Sequence, residues 1–211
     1  EPGDTPIVPP ETCPSCQADA KVDGDVVVCT NPSGCGARAV GVLEHFAKAT
    51  DIEGFGQVWL ETFVDAGLLQ SPVDFYKLTV DDLVVFDRMG LTLAQKLVDQ
   101  VNAARKLPLA TFLRALGVPD LGKTASKTIA QRFGTFEAAR AATIDELVKL
   151  PKFGELLAGK VIHGLADRAV LIDGLLEHIE VLEAEKAPEP VVGGAFEGKS
   201  FLFTGTLVAM K

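Results

Sequence analysis

The chain has 211 residues, 47% of them hydrophobic, and a formal net charge of −9. That length allows one or two modest domains, and with no run of 18 apolar residues the chain reads as soluble and globular rather than membrane-spanning. No charged-then-apolar leader signals secretion, and a start at Glu1 rather than Met leads to the expectation of a piece of a longer protein.

Residues 1–12 are proline-rich and polar and read as an extended lead-in. Cys13-Pro-Ser-Cys16 and Cys29-Thr-Asn-Pro-Ser-Gly-Cys35 then use every cysteine of the chain within 23 residues. Two close pairs joined by a β-hairpin, with Val26-Val27-Val28 leading into Cys29, suit a four-cysteine zinc site over residues 13–40. Zn²⁺ takes four thiolates in a tetrahedron, and two short knuckles supply them with little strain. The second pair is wider than usual, with Pro32 and Gly34 shaping its loop. The competing readings are a pair of disulfides, which needs an oxidising compartment, and a redox pair at Cys13 and Cys16, which needs a βαβ context the sequence lacks. His45 falls on the surface of the helix expected next.

Between the knuckles, Lys21-Val-Asp-Gly24 matches the K-x-D-G pattern of covalent nucleotidyltransferases. A 12-residue hairpin closing a metal site cannot build a nucleotide pocket, and Asp-Gly is a common hairpin turn. Lys21 is therefore read as a turn-flanking strand residue without catalytic role.

From residue 41 a phrase recurs: Ile52-Glu-Gly-Phe-Gly56, Phe86-Asp-Arg-Met-Gly90, Val118-Pro-Asp-Leu-Gly122 and Leu150-Pro-Lys-Phe-Gly154. The final glycines stand 34, 32 and 32 residues apart, the mark of one supersecondary unit repeated. Apolar or small residues follow each glycine at +3 and +4 (Trp59/Leu60, Leu93/Ala94, Ala125/Ser126, Leu157/Ala158) and at +7 and +8 (Phe63/Val64, Leu97/Val98, Ile129/Ala130, Val161/Ile162). That is one stripe of a 3.6-residue helix. Seven residues before each glycine lie Ala49, Leu83, Ala115 and Leu147, in segments that also read as helix. Thr79 to Asp82 and Thr143 to Glu146 are matching helix starts 64 residues apart, the second a full capping box and the first weakened by Asp. Each unit is thus helix, tight turn, helix, and the units pair two by two. The glycine ending each phrase accepts a positive φ or lets another backbone approach closely, and Pro119 and Pro151 preset their turns. A helical-hairpin array without ligand is the plain alternative.

Asp167 to Glu185 reads as a last helix, with Leu171, Leu175, Ile179 and Leu182 along one face. Residues 186–195 read as a linker, and 196–211 as a turn and one buried strand. Charge is uneven: net −4 over residues 1–50, −3 over 51–115, +2 over 116–168 and −4 over 169–211. The third and fourth units form the only basic stretch, and contacts through neutral backbone amides need few cations.

The four glycine turns resemble the helix-hairpin-helix motif, a sequence-independent DNA-binding element reading apolar-x-Gly-apolar-Gly. Only Ile52 to Gly56 has both glycines; Arg88, Asp120 and Lys152 replace the first elsewhere. The resemblance implies that hairpin amides at Gly54, Gly56, Gly90, Gly122 and Gly154 hold phosphate oxygens along the minor groove. Lys123, Thr124 and Lys127, with Arg88 and Lys152, would add side-chain contacts. The order of parts (zinc module 13–40, four helix-hairpin-helix units 41–185, linker 186–195, then a Gly-Lys-x-Phe-x-x-Thr-Gly-Thr-Leu strand) is similar to the C-terminal half of bacterial NAD-dependent DNA ligases. The expected fold is mainly α, with residues 196–211 opening a truncated BRCT domain. By the same resemblance, NAD and Mg²⁺ belong to an adenylation domain that this sequence lacks. That domain and an oligonucleotide-binding domain would be partners within the same protein. The whole would seal nicks in duplex DNA in the cytoplasm, at the nucleoid, with no membrane partner, and this piece would be inactive alone. A non-catalytic helix-hairpin-helix module of another repair or recombination protein, or a protein-interaction scaffold, are the alternatives.

Overall fold

The computed structural model describes residues 8–31 and 34–185. The expected linker at 186–195 and strand at 196–211 lie outside the described residues, as do positions 1–7 of the lead-in and Pro32 of the wide knuckle.

Strands β1 (Ala20–Asp23) and β2 (Val26–Cys29) pair antiparallel with Asp23 opposite Val26. The two-residue loop has Gly24 at φ +60°, the left-handed first position that a tight hairpin requires. Lys21 lies on β1 opposite Val28, on an exposed strand. The hairpin valines are exposed too, Val22 by 61% and Val28 by 41%. Over residues 13–35 apolar burial is confined to Cys13 and Cys35 among the described residues, so hydrophobic collapse does not hold the cysteine hairpin together.

Cys35 is the residue on which α1 (Gly36–Ala49) begins. This helix runs across the 40/41 boundary expected from sequence, so the cysteine module and the helical body share an element. His45 lies exposed on α1, its Nε2 2.9 Å from the Arg114 carbonyl oxygen.

The helical body repeats as the spacing predicts. Helix α1 and α2 (Gln57–Asp65) flank the first hairpin. After α3 (Pro72–Phe75), α4 (Val80–Val84) and α5 (Leu91–Ala103) flank the second. Strand β3 (Lys106–Pro108) leads into α6 (Leu109–Ala115), which with α7 (Lys123–Phe133) flanks the third. After α8 (Phe136–Arg140), α9 (Ile144–Val148) and α10 (Glu155–Asp167) flank the fourth. The stripe is buried in register. Leu60, Ala94, Ser126 and Ala158 are fully buried at +4, and Phe63, Leu97, Ile129 and Val161 at +7 are at most 1% exposed. Burying a side chain such as Phe63 or Leu97 is worth about 1.5–3 kcal/mol. These residues join Phe46, Phe75 and Phe112 in one core reaching from Val40 to Ile179.

The hairpins pair as expected. An added Cβ at Gly54 of the first hairpin would lie 2.6 Å from Leu97 Cδ2 on α5, so that hairpin rests on the second unit's helix. In the second pair Asp120 of the third hairpin meets Lys160 of α10 at 2.5 Å, and Val118 seats against Gly164. The contact at Gly54 explains why only the first hairpin carries its first glycine.

The C-terminal end corrects one expectation. Asp167 to Glu185 is not one helix: α11 spans Ala169–Leu176, and Glu180–Leu182 forms β4, paired parallel with β3. At the break between α10 and α11 the Arg168 guanidinium donates to the carbonyls of Leu116 (2.8 Å), Gly117 (2.9 Å) and Gly164 (3.1 Å). Further on, the Glu180 N–H donates to the Arg105 carbonyl at 2.7 Å, and Lys106 pairs with Glu180 at 2.8 Å. Ile179 is buried as a helix would bury it, whereas Leu182 is 40% exposed.

Candidate nucleic-acid interface and metal centre

Each hairpin buries its first and fourth residues wholly or in part and exposes its second, third and fifth. Ile52, Phe55, Met89, Val118, Leu121, Leu150 and Phe153 are all at most 7% exposed and anchor the turns. In the last three hairpins the fourth residue's N–H closes the turn on the first residue's carbonyl at 3.1 Å (Met89 to Phe86, Leu121 to Val118, Phe153 to Leu150). The third residue is left-handed in all four, with φ +94° at Gly54, +65° at Arg88, +63° at Asp120 and +66° at Lys152. Proline at 119 and 151 with positive φ next to it is the signature of a type II turn. A non-glycine residue in that conformation costs about 1–2 kcal/mol, yet three of the four turns carry a charged residue there.

The final glycines behave differently. Gly56, Gly90, Gly122 and Gly154 have φ of −68°, −74°, −76° and −100°, extended backbone that any residue adopts. Of the two roles expected for them, positive φ belongs to the residue two places earlier. At each final glycine an added Cβ would meet no atom of the described residues within 4 Å. Neither backbone conformation nor internal packing calls for glycine there; open space faces outward at all four.

Each of these glycines is the N-cap of the second helix of its unit, and no side chain caps α2, α5, α7 or α10 among the described residues. The first helical bonds are Leu60, Ala94, Ser126 and Ala158 N–H to the glycine carbonyls, each 3.0 Å. The N–H groups of the glycine and the next three residues have no acceptor among the described residues. Such donors at the positive end of a helix form an anion site. The first turns of α2, α5 and α7 contain no acid, and α10 carries Glu155.

The third and fourth hairpins meet across a cleft of about 300 Å³ lined by Asp120, Gly122, Lys123, Thr124, Thr128, Pro151, Lys152, Phe153 and Leu157. Lys123, Thr124 and Lys152, with the amides of Gly122, thus come to one place, and Lys127 lies exposed on α7. Arg88 stands apart on the second hairpin, 90% exposed and 3.8 Å from Asp87. The cleft itself has no local sequence signal, because it arises from the packing of one unit on the next.

The four cysteines also converge. The Sγ atoms of Cys13, Cys16, Cys29 and Cys35 all lie within 4.8 Å of one another, and none is in a disulfide. Cys13 to Cys35 is 3.8 Å and Cys16 to Cys29 is 3.4 Å, against an edge of about 3.8 Å for a tetrahedron with Zn–S bonds of about 2.3 Å. The backbone N–H groups of Cys16 and Ser15 hold the Cys13 thiol down at about 7, while burial and the three neighbouring thiols push Cys29 up to about 12. Soft donors only, in a compact near-tetrahedral set, suit a zinc ion.

Comparison with known proteins agrees with this geometry. A family model for the helix-hairpin-helix motif matches residues 111–170, the third and fourth units. The chain is 41% identical over 207 residues to a DNA ligase of Haloarcula marismortui, covering 94% of this chain and 29% of the relative. It is 38% identical over 205 residues to a DNA ligase of Halorubrum lacusprofundi, covering 94% and 28%. With a DNA ligase of Natronomonas pharaonis it shares 34% over 201 residues, covering 94% and 29%. These relatives are haloarchaeal, where the resemblance read from sequence pointed to bacteria. The chain spans less than a third of the length of the curated relatives it matches. No helix among the described residues is long and apolar enough to cross a membrane. A mainly helical body carrying the helix-hairpin-helix motif, joined to a four-cysteine cluster, is thus similar over nearly its whole length to one segment of proteins named DNA ligase.

Proposed function

We propose that this chain is the duplex-gripping part of an NAD-dependent DNA ligase that seals nicks during replication and repair. The observation that carries the reading is the set of four helix starts with uncapped amides, each opened by a glycine whose missing side chain leaves space outside the protein. Phosphate oxygens of a duplex backbone match those donors in charge and geometry, and the contacts are blind to base sequence. In this reading Gly54, Gly56, Gly90, Gly122 and Gly154 approach the backbone along the minor groove. Lys123, Thr124, Lys127 and Lys152 reinforce the third and fourth hairpins, and Arg88 the second. Cys13, Cys16, Cys29 and Cys35 hold structural zinc, which orders a hairpin that lacks an apolar core. NAD and Mg²⁺ chemistry belongs to an adenylation domain elsewhere in the full protein, which with an oligonucleotide-binding domain completes the ring of contacts on nicked DNA. The piece itself supplies grip and no catalytic residue, and the whole works in the cytoplasm on the nucleoid.

Binding of the 211-residue chain to a nicked duplex, alongside Gly122→Val and Gly154→Val variants, is the test. Valine fits the extended backbone at both positions but fills the outward space, so the variants should stay folded and bind more weakly. Folded variants that bind as well as the parent chain would reduce the hairpins to connectors and favour a protein-interaction scaffold.

A further inference from the structure

The four thiols of the cysteine cluster are not equivalent. Cys13 and Cys35 are 6% and 5% exposed, whereas Cys16 and Cys29 are only half-buried. The Cys16 and Cys29 sulfurs, 3.4 Å apart, also stand closer together than those of Cys13 and Cys35 at 3.8 Å. The pairs differ again in what they join. Cys16 ends the first knuckle and Cys29 is the last residue of β2, so both belong to the hairpin. Cys35 is the N-cap of α1, whose Val40, Leu43 and Phe46 are buried in the helical core. Apart from the sulfurs, the direct hydrogen bonds from α1 to residues 13–29 among the described residues are long. They run from the Ala37 N–H to Ser15 Oγ and from the Arg38 guanidinium to the Cys29 carbonyl, each at 3.4 Å. The cluster is therefore the main tie between hairpin and body, and its exposed half lies entirely on the hairpin side.

We propose that Cys16 and Cys29 are a hydroperoxide-responsive site whose disulfide uncouples the cysteine hairpin from the helical body. The inference rests on the zinc reading above, which keeps all four sulfurs as thiolates. Oxidation follows thiolate character, exposure and a second thiol close enough to resolve the product, and Cys16 with Cys29 meets all three. The Cys16 thiolate attacks one peroxide oxygen, the O–O bond breaks, and the leaving hydroxide takes a proton to become water. The Cys29 thiolate then attacks the sulfur of the Cys16 sulfenic acid. The S–O bond breaks, and the second hydroxide also leaves as water. Two thiolates, one hydrogen peroxide and two protons become one disulfide and two waters, the sulfurs losing the two electrons that the peroxide gains. The new bond lies wholly within residues 16–29, so it closes the hairpin on itself and holds nothing of α1. It also withdraws two of the four donors, so the ion that linked the hairpin to Cys35 is lost. Chelation would leave the hairpin open, whereas oxidation leaves it closed but detached. The buried pair, Cys13 and Cys35, reacts only afterwards.

The experiment adds hydrogen peroxide to the zinc-loaded 211-residue chain, one equivalent at a time. Zinc release is read with a chromogenic chelator, disulfide connectivity by peptide mass after alkylation, and local order by hydrogen exchange. The first equivalent should release about one zinc per chain and join Cys16 to Cys29, with Cys13 and Cys35 still open to alkylation after denaturation. Exchange at the amides of Ala39 and Val40, where α1 begins, should speed up about tenfold or more, while β1 and β2 keep their protection. Dithiothreitol with added zinc should restore the starting pattern. A first disulfide between any other two cysteines, direct passage to sulfinic acid, or unchanged exchange at the start of α1 would overturn the inference. A chain that holds zinc and resists excess peroxide would also overturn it, leaving the zinc reading in place. A chain that takes up no zinc would remove the zinc reading itself, and this inference with it.

Discussion

Two kinds of helix start recur along the repeat, two capped starts standing between two glycine-led ones in each pair of units. Helices α3, α4, α8 and α9 begin with Ser71, Thr79, Thr135 and Thr143, each followed by an acid in the first turn. Capping boxes close at α3, α4 and α9, and the Asp82 carboxylate completes its box as Glu146 does, although aspartate is the shorter acid. Helices α2, α5, α7 and α10 begin with glycine and leave their first amides without an acceptor among the described residues. The capped starts are four or five residues long and need local bonds to persist; the glycine starts open helices of 9 to 13 residues whose buried stripe holds them. Only helices already secured by packing leave their N-termini free for a partner. Helices α6 and α11 start after Pro108 and Arg168 with no side-chain cap, and helix α1 is a third case. Its N-cap Cys35 makes no capping bond and is held through the four-sulfur cluster.

The largest effect should come from that third case. Chelating the proposed zinc should disorder residues 13–31 and fray the start of α1 while the rest of the helical body persists. Structural zinc in small modules is worth about 10–16 kcal/mol, and β1 and β2 have no apolar core to replace it. Metal analysis should give one equivalent per chain before treatment, and hydrogen exchange should localise the loss; an unchanged hairpin after metal removal would contradict the metal's role.

A sharper test converts one kind of start into the other. Gly122→Ser supplies α7 with a capping hydroxyl, so stability should rise by about a few tenths of a kcal/mol. DNA binding should nevertheless weaken several-fold, because the new side chain fills the outward space and competes for the amides. Stability and binding moving in the same direction would break the comparison. Lys123→Ala should act more mildly: weaker binding to all sequences alike, with the log–log salt slope reduced by about one.

The capped starts should answer the opposite way. Thr143→Ala should cost about 1 kcal/mol of stability and leave DNA binding unchanged, as read by denaturant midpoint and titration. Smallest is a pH effect. The Glu146 carboxylate accepts from the Thr143 N–H at 2.9 Å and from its hydroxyl at 3.0 Å, and these bonds hold its pKa below the ordinary glutamate value. A depressed carboxylate pKa means the native state binds protons less readily than the unfolded chain. Its stabilisation is present at neutral pH and is lost as pH falls through the folded-state value. Glu146→Gln should therefore lower stability slightly near pH 7, leave it unchanged at low pH, and so flatten the acid limb of the stability curve.

The helical body was legible because its signal is local and repeated. A turn phrase at a fixed interval and a 3.6-residue stripe fix helix, hairpin and buried face together, and Leu60, Ala94, Ser126 and Ala158 were buried as their spacing implied. The cysteine cluster was legible because four soft donors at short spacing have few other uses. The C-terminal end misled for the same reason that the body succeeded. Leu171, Leu175, Ile179 and Leu182 keep helical spacing, yet Glu180–Leu182 pairs with a strand more than 70 residues earlier, an interaction without a local pattern.

By itself, then, the sequence determined the repeat, the hairpins, the capped helix starts and the thiol cluster, since each depends on residues close in the chain. Tertiary structure alone decided where the chain leaves helix for the β4 strand, how the third and fourth hairpins enclose one cleft, and which glycines are needed for conformation. At Gly54 the approach of Leu97 requires glycine from within, on a left-handed turn position that Arg88, Asp120 and Lys152 occupy elsewhere. At Gly56, Gly90, Gly122 and Gly154 neither backbone nor packing does, and that difference depends on what surrounds a missing Cβ, which only packing in three dimensions defines.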